Sequence, residues 1–201
     1  MKKSLIALLL VVALVVTVSV FAASAETTNP FDGQTGDVTA YCAACDADVV
    51  WKPVSKAESE AGTQIQNWAN TKDGATHFYF AEDMKMGTTH NLATEKFCID
   101  LNGKTVTRSS GNPFFRLCGQ DETKLPELNL FDSSAEETGK LVIPFAAGSV
   151  FELRFGGTLN VYGGNYVGSG IEGDMGGKPA SSSSGTAIAT THNGRLLDAY
   201  E

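Results

Sequence analysis

Alternating apolar and polar positions run through most of the second half of the chain. Apolar residues occupy alternate positions at Phe97, Ile99 and Leu101, and Phe78 begins a similar stretch upstream. A period of two is the pattern of a half-buried β-strand. Stretches with a helical period are scarce in the same region. The pattern therefore predicts a β-rich domain over residues 77–201.

Two series of predicted strands advance along this domain with similar spacing. Equivalent apolar positions are Ile99, Leu128 and Leu159 in one series, and Phe115, Phe151 and Ile188 in the other. A single turn of such a chain cannot bury its own apolar side chains, so successive turns must stack. Asn129 and Asn160 match in position and predict a ladder of amides. The fold class predicted is all-β, a right-handed parallel β-helix (a solenoid) with few coils, and an antiparallel β-sandwich is the alternative.

The segments before and within this domain differ in composition. Residues 26–40 are polar and predict a flexible leader, and residues 41–76 predict a small N-terminal cap region. In that cap, Ser55 and Glu58 form a capping-box pattern, which predicts a short helix. Residues 168–185 are rich in glycine and serine and predict a loop insertion between coils.

The first 25 residues have the pattern of a cleavable signal peptide. Lys2 and Lys3 precede an apolar run from Leu5 to Phe21, and Ala23-Ser24-Ala25 supplies a small-x-small cleavage site. A transmembrane anchor is the alternative, but the polar sequence after residue 25 favours cleavage. The sequence thus predicts a secreted or cell-surface protein that leaves the membrane after cleavage.

Charge and cysteines narrow the partners. A formal net charge of −8 disfavours nucleic acid as a partner, and extracellular glycans or cell-wall polysaccharides fit an exported acidic chain better. Cys42 and Cys45 are spaced as in half of a zinc site, yet no second C-x-x-C or H-x-x-x-H motif follows. Nothing in the sequence positions His77 or His90 as ligands. Zinc and disulfides both stay open, and the four cysteines allow three disulfide connectivities: they are Cys42, Cys45, Cys98 and Cys118.

Three segments carry a resemblance to a known family: Cys98–Thr105, Leu128–Ser134 and Gly156–Gly164. They resemble secreted bacterial proteins with pectate-lyase-like right-handed β-helices, a group common in anaerobic gut bacteria. The resemblance covers roughly residues 77–170, and it implies a bacterial extracellular protein. Proteins of this type usually run longer, so we also expect a truncated reading frame or a fragment.

The function is less constrained than the fold. Hydrolases of this group use clustered carboxylates in N-x-D, D-D and G-H-G patterns, and none of these occurs, so no catalytic residue is predicted. We expect a non-catalytic module that contacts carbohydrate or acts like an adhesin. The alternatives are a polysaccharide lyase, with calcium as its cofactor, or a glycoside hydrolase, and a fragment without independent activity. The candidate substrate-binding residues are Tyr162, Tyr166, Glu172 and Asp174.

Overall fold

The structure is a computed structural model, and it describes residues 28–110, 112–119, 123–144, 150–154, 157–168, 171–173 and 188–191. The predicted signal peptide lies outside these residues. The described residues form two helices and fifteen strands. The helices are α1 (Lys56–Glu60) and α2 (Ile65–Thr71). The strands are β1 (Val38–Cys42), β2 (Ala47–Val54), β3 (His77–Phe80), β4 (Met84–Met86), β5 (His90–Leu92), β6 (Lys96–Asp100), β7 (Thr105–Arg108), β8 (Phe115–Cys118), β9 (Glu127–Phe131), β10 (Lys140–Val142), β11 (Phe151–Arg154), β12 (Thr158–Val161), β13 (Asn165–Gly168), β14 (Ile171–Gly173) and β15 (Ile188–Thr191).

The strands pair into three sheets. The first sheet has the order β1-β2-β3-β6-β9-β12, the second β14-β13-β10-β7-β4, and the third β15-β11-β8-β5. Pairing is antiparallel between β1 and β2 and between β13 and β14, and every other strand pair described is parallel. From β3 to β13, consecutive strands belong in turn to the first, second and third sheet. Residues far apart in sequence therefore become neighbours within a sheet.

One apolar core lies between the three sheets. Each sheet contributes buried side chains to it, for example Ile99 from the first, Leu141 from the second and Phe115 from the third. Phe115 pairs with Phe151, and Phe151 with Ile188, as their spacing in the sequence predicted. The rings of Phe115 and Phe151 lie 6.2 Å apart and nearly parallel. Burial of these side chains is the main stabilising contribution of the sheets.

The other predicted row of apolar residues is displaced by two positions. Leu128 pairs with Leu159 as expected, but its partner on β6 is Phe97, and Ile99 pairs with Leu130. A shift of two keeps the same residues on the same face of the strand, so an apolar pattern alone cannot detect it.

The predicted fold class is wrong. An all-β right-handed parallel β-helix was expected, whereas the structure has mixed and parallel sheets together with two helices. The antiparallel β1–β2 hairpin and the antiparallel β13–β14 pair account for the mixed sheets. The alternation that predicted the strands reports which face is buried and does not report the direction of the neighbouring strand.

Both helices pack against edge strands of the second and third sheets. Helix α1 begins at the predicted capping box: the Glu58 amide donates to Ser55 Oγ (3.2 Å), and the Ser55 amide donates to Glu58 Oε2 (2.8 Å). It ends beside β4, where the Gly87 amide donates to the Ser59 carbonyl (3.1 Å). Helix α2 contacts β5, because the Ile65 amide donates to His90 Nδ1. Such cover protects a sheet edge from pairing with another chain.

A second apolar cluster lies on the opposite face of the first sheet. Only the end of β2 pairs with β3, and the rest of the β1–β2 hairpin, with the segment around Phe31, folds over the outer face of the strands that follow. Trp51 and Tyr79 are buried there, and Trp51 contacts Phe131 on β9. The Phe31 ring stacks on Tyr79 with centroids 4.8 Å apart and meets Trp51 edge to face. The outer face of β3 and β6 is therefore sheltered from water, and the candidate site lies under this cover. Among the described residues, no helix has the length and apolarity needed to cross a membrane.

Candidate metal centre

Four side chains that suit a metal ion meet on the outer face of the first sheet. They are Cys42, Cys45, His77 and Cys98, and one potential ligand atom from each lies within 4.8 Å of those of the others. Cys42 and Cys98 are buried, and Cys45 and His77 are half-buried. Three separate segments of the chain supply these ligands.

The hairpin supplies the first two ligands. Cys42 is the last residue of β1, and the Cys45 amide donates to the Cys42 carbonyl (3.1 Å) in the tight turn that follows. Asp46 completes the turn with a φ of 50°, in the left-handed region that Asp and Asn tolerate better than most residues. The turn brings both sulfur atoms to one side of the hairpin, as C-x-x-C metal loops require.

The two remaining ligands come from parallel neighbours in the sheet. His77 on β3 and Cys98 on β6 are register partners. Each precedes a core residue, Phe78 and Ile99 respectively, and both of those belong to the inner apolar cluster. Because successive side chains of a strand point to opposite faces, His77 and Cys98 project together from the outer face.

The distances in the cluster fit a tetrahedral metal. Cys42 Sγ and Cys98 Sγ are 3.6 Å apart, and Cys45 Sγ is 3.3 Å from His77 Nε2. Zinc–sulfur bonds of about 2.3 Å in a tetrahedron place two sulfur atoms about 3.8 Å apart, and a sulfur and a nitrogen slightly closer. The side chains therefore need only small adjustments to bind one ion.

The histidine is held in the orientation that metal binding needs. His77 Nδ1 lies 3.1 Å from Thr76 Oγ1, which can accept a hydrogen bond from Nδ1–H, and this tautomer leaves the Nε2 lone pair directed at the cysteines. Trp51 packs edge to face against the imidazole at 5.2 Å. A hydrogen bond to the second ring nitrogen is the usual support for a ligating histidine.

Burial sets the protonation of the ligands. It raises the pKa of the Cys42 and Cys98 thiols, and it lowers the pKa of His77, with a smaller contribution from nearby Lys96. A neutral imidazole is the form that binds a metal. Buried thiols keep their protons until a cation displaces them, which links metal binding to proton release.

A lysine lies beside the cluster. Lys96 donates to the Ala44 carbonyl in the C-x-x-C turn (3.1 Å) and forms an ion pair with Glu127 (3.0 Å). The hydrogen bond with Glu127 is the main cause of the raised pKa of Lys96. A divalent ion with three thiolates and one neutral histidine carries one net negative charge, and the Lys96 ammonium is placed to offset it.

The four residues predicted to contact a substrate differ in location and in exposure to solvent. Tyr162 is 41% exposed and stacks on Phe131, with ring centroids 4.6 Å apart and planes within 5°. Tyr166 is buried and donates its hydroxyl proton to the Gly163 carbonyl (2.6 Å), so its ring is not available at the surface. Glu172 belongs to strand β14. Asp174 lies outside the described residues.

Sequence reasoning named Cys42 and Cys45 but missed their two partners. The sequence has no second C-x-x-C or H-x-x-x-H motif, because the two partners, His77 and Cys98, are 21 positions apart and meet only through strand pairing. A signal was present: aligning Phe78 with Ile99 also aligns His77 with Cys98. Pairing the predicted strands before searching for ligands would have found the set.

No protein family matches the chain, and no curated protein or solved structure is detectably similar to it. The resemblance to pectate-lyase-like proteins therefore stays a prediction from the sequence.

Proposed function

We propose that the protein binds one zinc ion through Cys42, Cys45, His77 and Cys98, and that this ion has a structural role. The observation that carries the proposal is the convergence of three sulfur atoms and one imidazole nitrogen within 4.8 Å of one another. These donors come from a hairpin turn and two neighbouring strands.

The chemistry of the donors favours zinc. Thiolate and imidazole ligands suit zinc, whereas calcium and magnesium prefer oxygen. Four protein ligands fill a tetrahedral coordination shell and leave no position for water or substrate, which distinguishes a structural zinc from a catalytic one. The apolar cover from Phe31, Trp51 and Tyr79 also limits access of solvent to the site.

The ion would connect the hairpin to the sheet. Cys42 and Cys45 belong to the β1–β2 hairpin, whose antiparallel pairing ends at Cys42 and Ala47. His77 and Cys98 belong to β3 and β6, so a bound ion joins the turn of the hairpin to the outer face of both strands. In this way zinc would hold the cover over the outer face.

Metal analysis of the reduced protein tests the proposal. We expect one zinc ion per chain, and the visible absorption of tetrahedral cobalt–thiolate coordination after exchange with cobalt. Cys98→Ser should abolish stoichiometric binding, whereas the matched Cys118→Ser variant should retain it because Cys118 lies on β8 in the third sheet. Zinc binding that survives Cys98→Ser, or no zinc in the wild type, would refute the proposal.

A second function, contact with carbohydrate, is proposed for the surface around Tyr162, which follows β12. It is supported by Tyr162, which stacks on Phe131 and keeps 41% of its surface exposed, beside the half-buried amide of Asn160. An aromatic face with a nearby amide suits the apolar face and hydroxyls of a pyranose ring.

Glycan-array binding tests this second proposal. Tyr162→Ala should reduce any glycan signal of the wild type at least tenfold. The matched control is Tyr41→Ala, since Tyr41 is 59% exposed and lies on β1 at the other end of the sheet. No glycan binding by the wild type, or equal loss in both variants, would count against Tyr162.

A further inference from the structure

Two buried sulfur atoms of the metal centre lie close enough to form a covalent bond with each other. Cys42 Sγ and Cys98 Sγ are 3.6 Å apart, and both cysteines are free thiols almost fully removed from solvent. We infer that Cys42 and Cys98 form a disulfide when the metal is absent and a disulfide oxidant is present. This inference rests on the site of the proposed function and not on the metal itself.

The 3.6 Å separation of Cys42 Sγ and Cys98 Sγ identifies this pair as the one that closes. Cys45 Sγ contacts His77 Nε2 at 3.3 Å, so its thiol already has a polar partner. Cys42 and Cys98 face each other from the end of β1 and the middle of β6. Disulfide sulfurs are about 2.05 Å apart, so about 1.5 Å of approach is needed, which small side-chain rotations can supply.

The reaction is a thiol–disulfide exchange in two steps. Because both thiols are buried in the closed structure, the first step takes place when the hairpin opens locally. One cysteine, as its thiolate, then attacks a small-molecule disulfide, forms a mixed disulfide and releases one small thiol. The second cysteine, as its thiolate, then attacks the protein sulfur of the mixed disulfide and releases the other small thiol. The two protein thiols lose two protons and two electrons in total, and these reduce the small disulfide to two thiols.

The disulfide and the metal exclude each other but hold the same parts together. The disulfide removes two of four ligands and leaves only Cys45 and His77, which cannot complete a tetrahedral zinc site. It also joins residues 56 positions apart, so it ties the hairpin to β6 as the metal does. The cover over the outer face would therefore persist in an oxidising compartment, where disulfides form and persist, and the signal-peptide pattern predicts export to such a compartment.

Peptide mapping of the oxidised full chain tests the inference. The protein is incubated with a chelator and oxidised glutathione, free thiols are blocked, and trypsin cleaves after Lys56 and Lys96, among other sites, to place Cys42 and Cys98 in separate peptides. Cys42 and Cys45 share one peptide, so fragmentation of the linked product identifies which of them carries the blocked thiol. We expect a product two hydrogens lighter that contains a Cys42–Cys98 cross-link and migrates faster on a non-reducing gel. Saturation with zinc beforehand should slow its formation at least tenfold.

Variants distinguish this pairing from the others. Cys45→Ser should still form the cross-link and show the gel shift, whereas Cys42→Ser and Cys98→Ser should lose both. A Cys42–Cys45 or Cys45–Cys98 link as the main product, or no intramolecular link, would overturn the inference. Zinc stoichiometry is measured separately on reduced protein, so a missing cross-link with normal zinc content rejects only the disulfide. A cross-link without zinc binding rejects only the metal.

Discussion

The inner and outer faces of the first sheet bury side chains of different chemistry. On the inner face, Phe78, Ile99, Leu130 and Val161 are paired in register and are all buried. On the outer face, one position earlier, the paired row is His77, Cys98, Asn129 and Asn160. The inner row needs only burial to be stable, whereas each residue of the outer row needs a specific partner.

The partners of the outer row change along the sheet. On β3 and β6 the partners are the cysteines of the hairpin. On β9 and β12 the partners are neighbouring amides, since Asn160 Nδ2 donates to Asn129 Oδ1 (2.8 Å). The amide ladder agrees with the matching positions of these residues in the sequence. A single face of a sheet thus combines a candidate metal centre with an amide ladder.

The largest effect is expected on the inner face. Phe78→Ala should lower the free energy of unfolding by about 3–5 kcal/mol, because it leaves a cavity in the core. The loss should be the same with zinc and with chelator, as measured by denaturant titration. The control variant Leu125→Ala, at a position that is 42% exposed, should change stability by about 0.5 kcal/mol or less. A loss for Phe78→Ala that depends on zinc would mean that the two faces are coupled.

Metal removal should act on the outer face alone. At a free zinc concentration 100 times the dissociation constant, zinc should stabilise the wild type by about 2.7 kcal/mol. Chelator should remove this gain in the wild type and leave Cys98→Ser unchanged. Thermal melts of the reduced proteins measure both. Equal responses of the two proteins to chelator would show that the stabilisation by zinc does not depend on the four ligands.

Acid should lower the stability of the protein through His90, a buried histidine in the core. Burial, with a smaller contribution from Arg108, lowers the pKa of His90 to about 3, and its Nδ1 accepts the Ile65 amide proton. The unfolded chain binds more protons between about pH 3 and 6.5, so stability is complete above this window and falls as the pH falls. At pH 5 the loss should be about 2 kcal/mol relative to pH 7.

Substitution of this histidine isolates its share. His90→Asn keeps an acceptor for the Ile65 amide but cannot titrate, so the variant should lose about 2 kcal/mol less than the wild type between pH 7 and 5. Denaturant titrations in chelator provide the measurement, since chelator removes any contribution from bound metal. Identical pH profiles for the two proteins would show that His90 does not titrate on unfolding.

The smallest effect is expected for Thr76, which contacts the ligand His77, and it concerns the affinity for the metal. Thr76→Val removes the oxygen that lies 3.1 Å from His77 Nδ1. Loss of such a contact typically weakens metal binding about tenfold or more. Competition with a chromophoric chelator would measure the change, with Thr107→Val on β7 as a control of the same chemistry. Unaltered affinity in Thr76→Val would show that another contact orients the imidazole.

The sequence predicted the local elements better than their arrangement. Strand positions, the capping box at Ser55 and the alignment of Phe115 with Phe151 follow from short-range patterns, and the structure has all three. The fold class was wrong because the direction of pairing in the hairpin and at β13–β14 leaves no mark in the alternation. The four-ligand cluster could not be read from spacing, since the partners of the C-x-x-C motif meet it only through sheet register.

The order of the ligands along the chain matters for biosynthesis. All four precede residue 99, whereas β9 and β12 are made later, and β9 then adds to β6 and β12 to β9. During synthesis from the N-terminus, a metal ion or a disulfide can therefore close around β3 and β6 before their later partners leave the ribosome. The first strands would then present a fixed edge on which the remaining strands of the sheet can assemble.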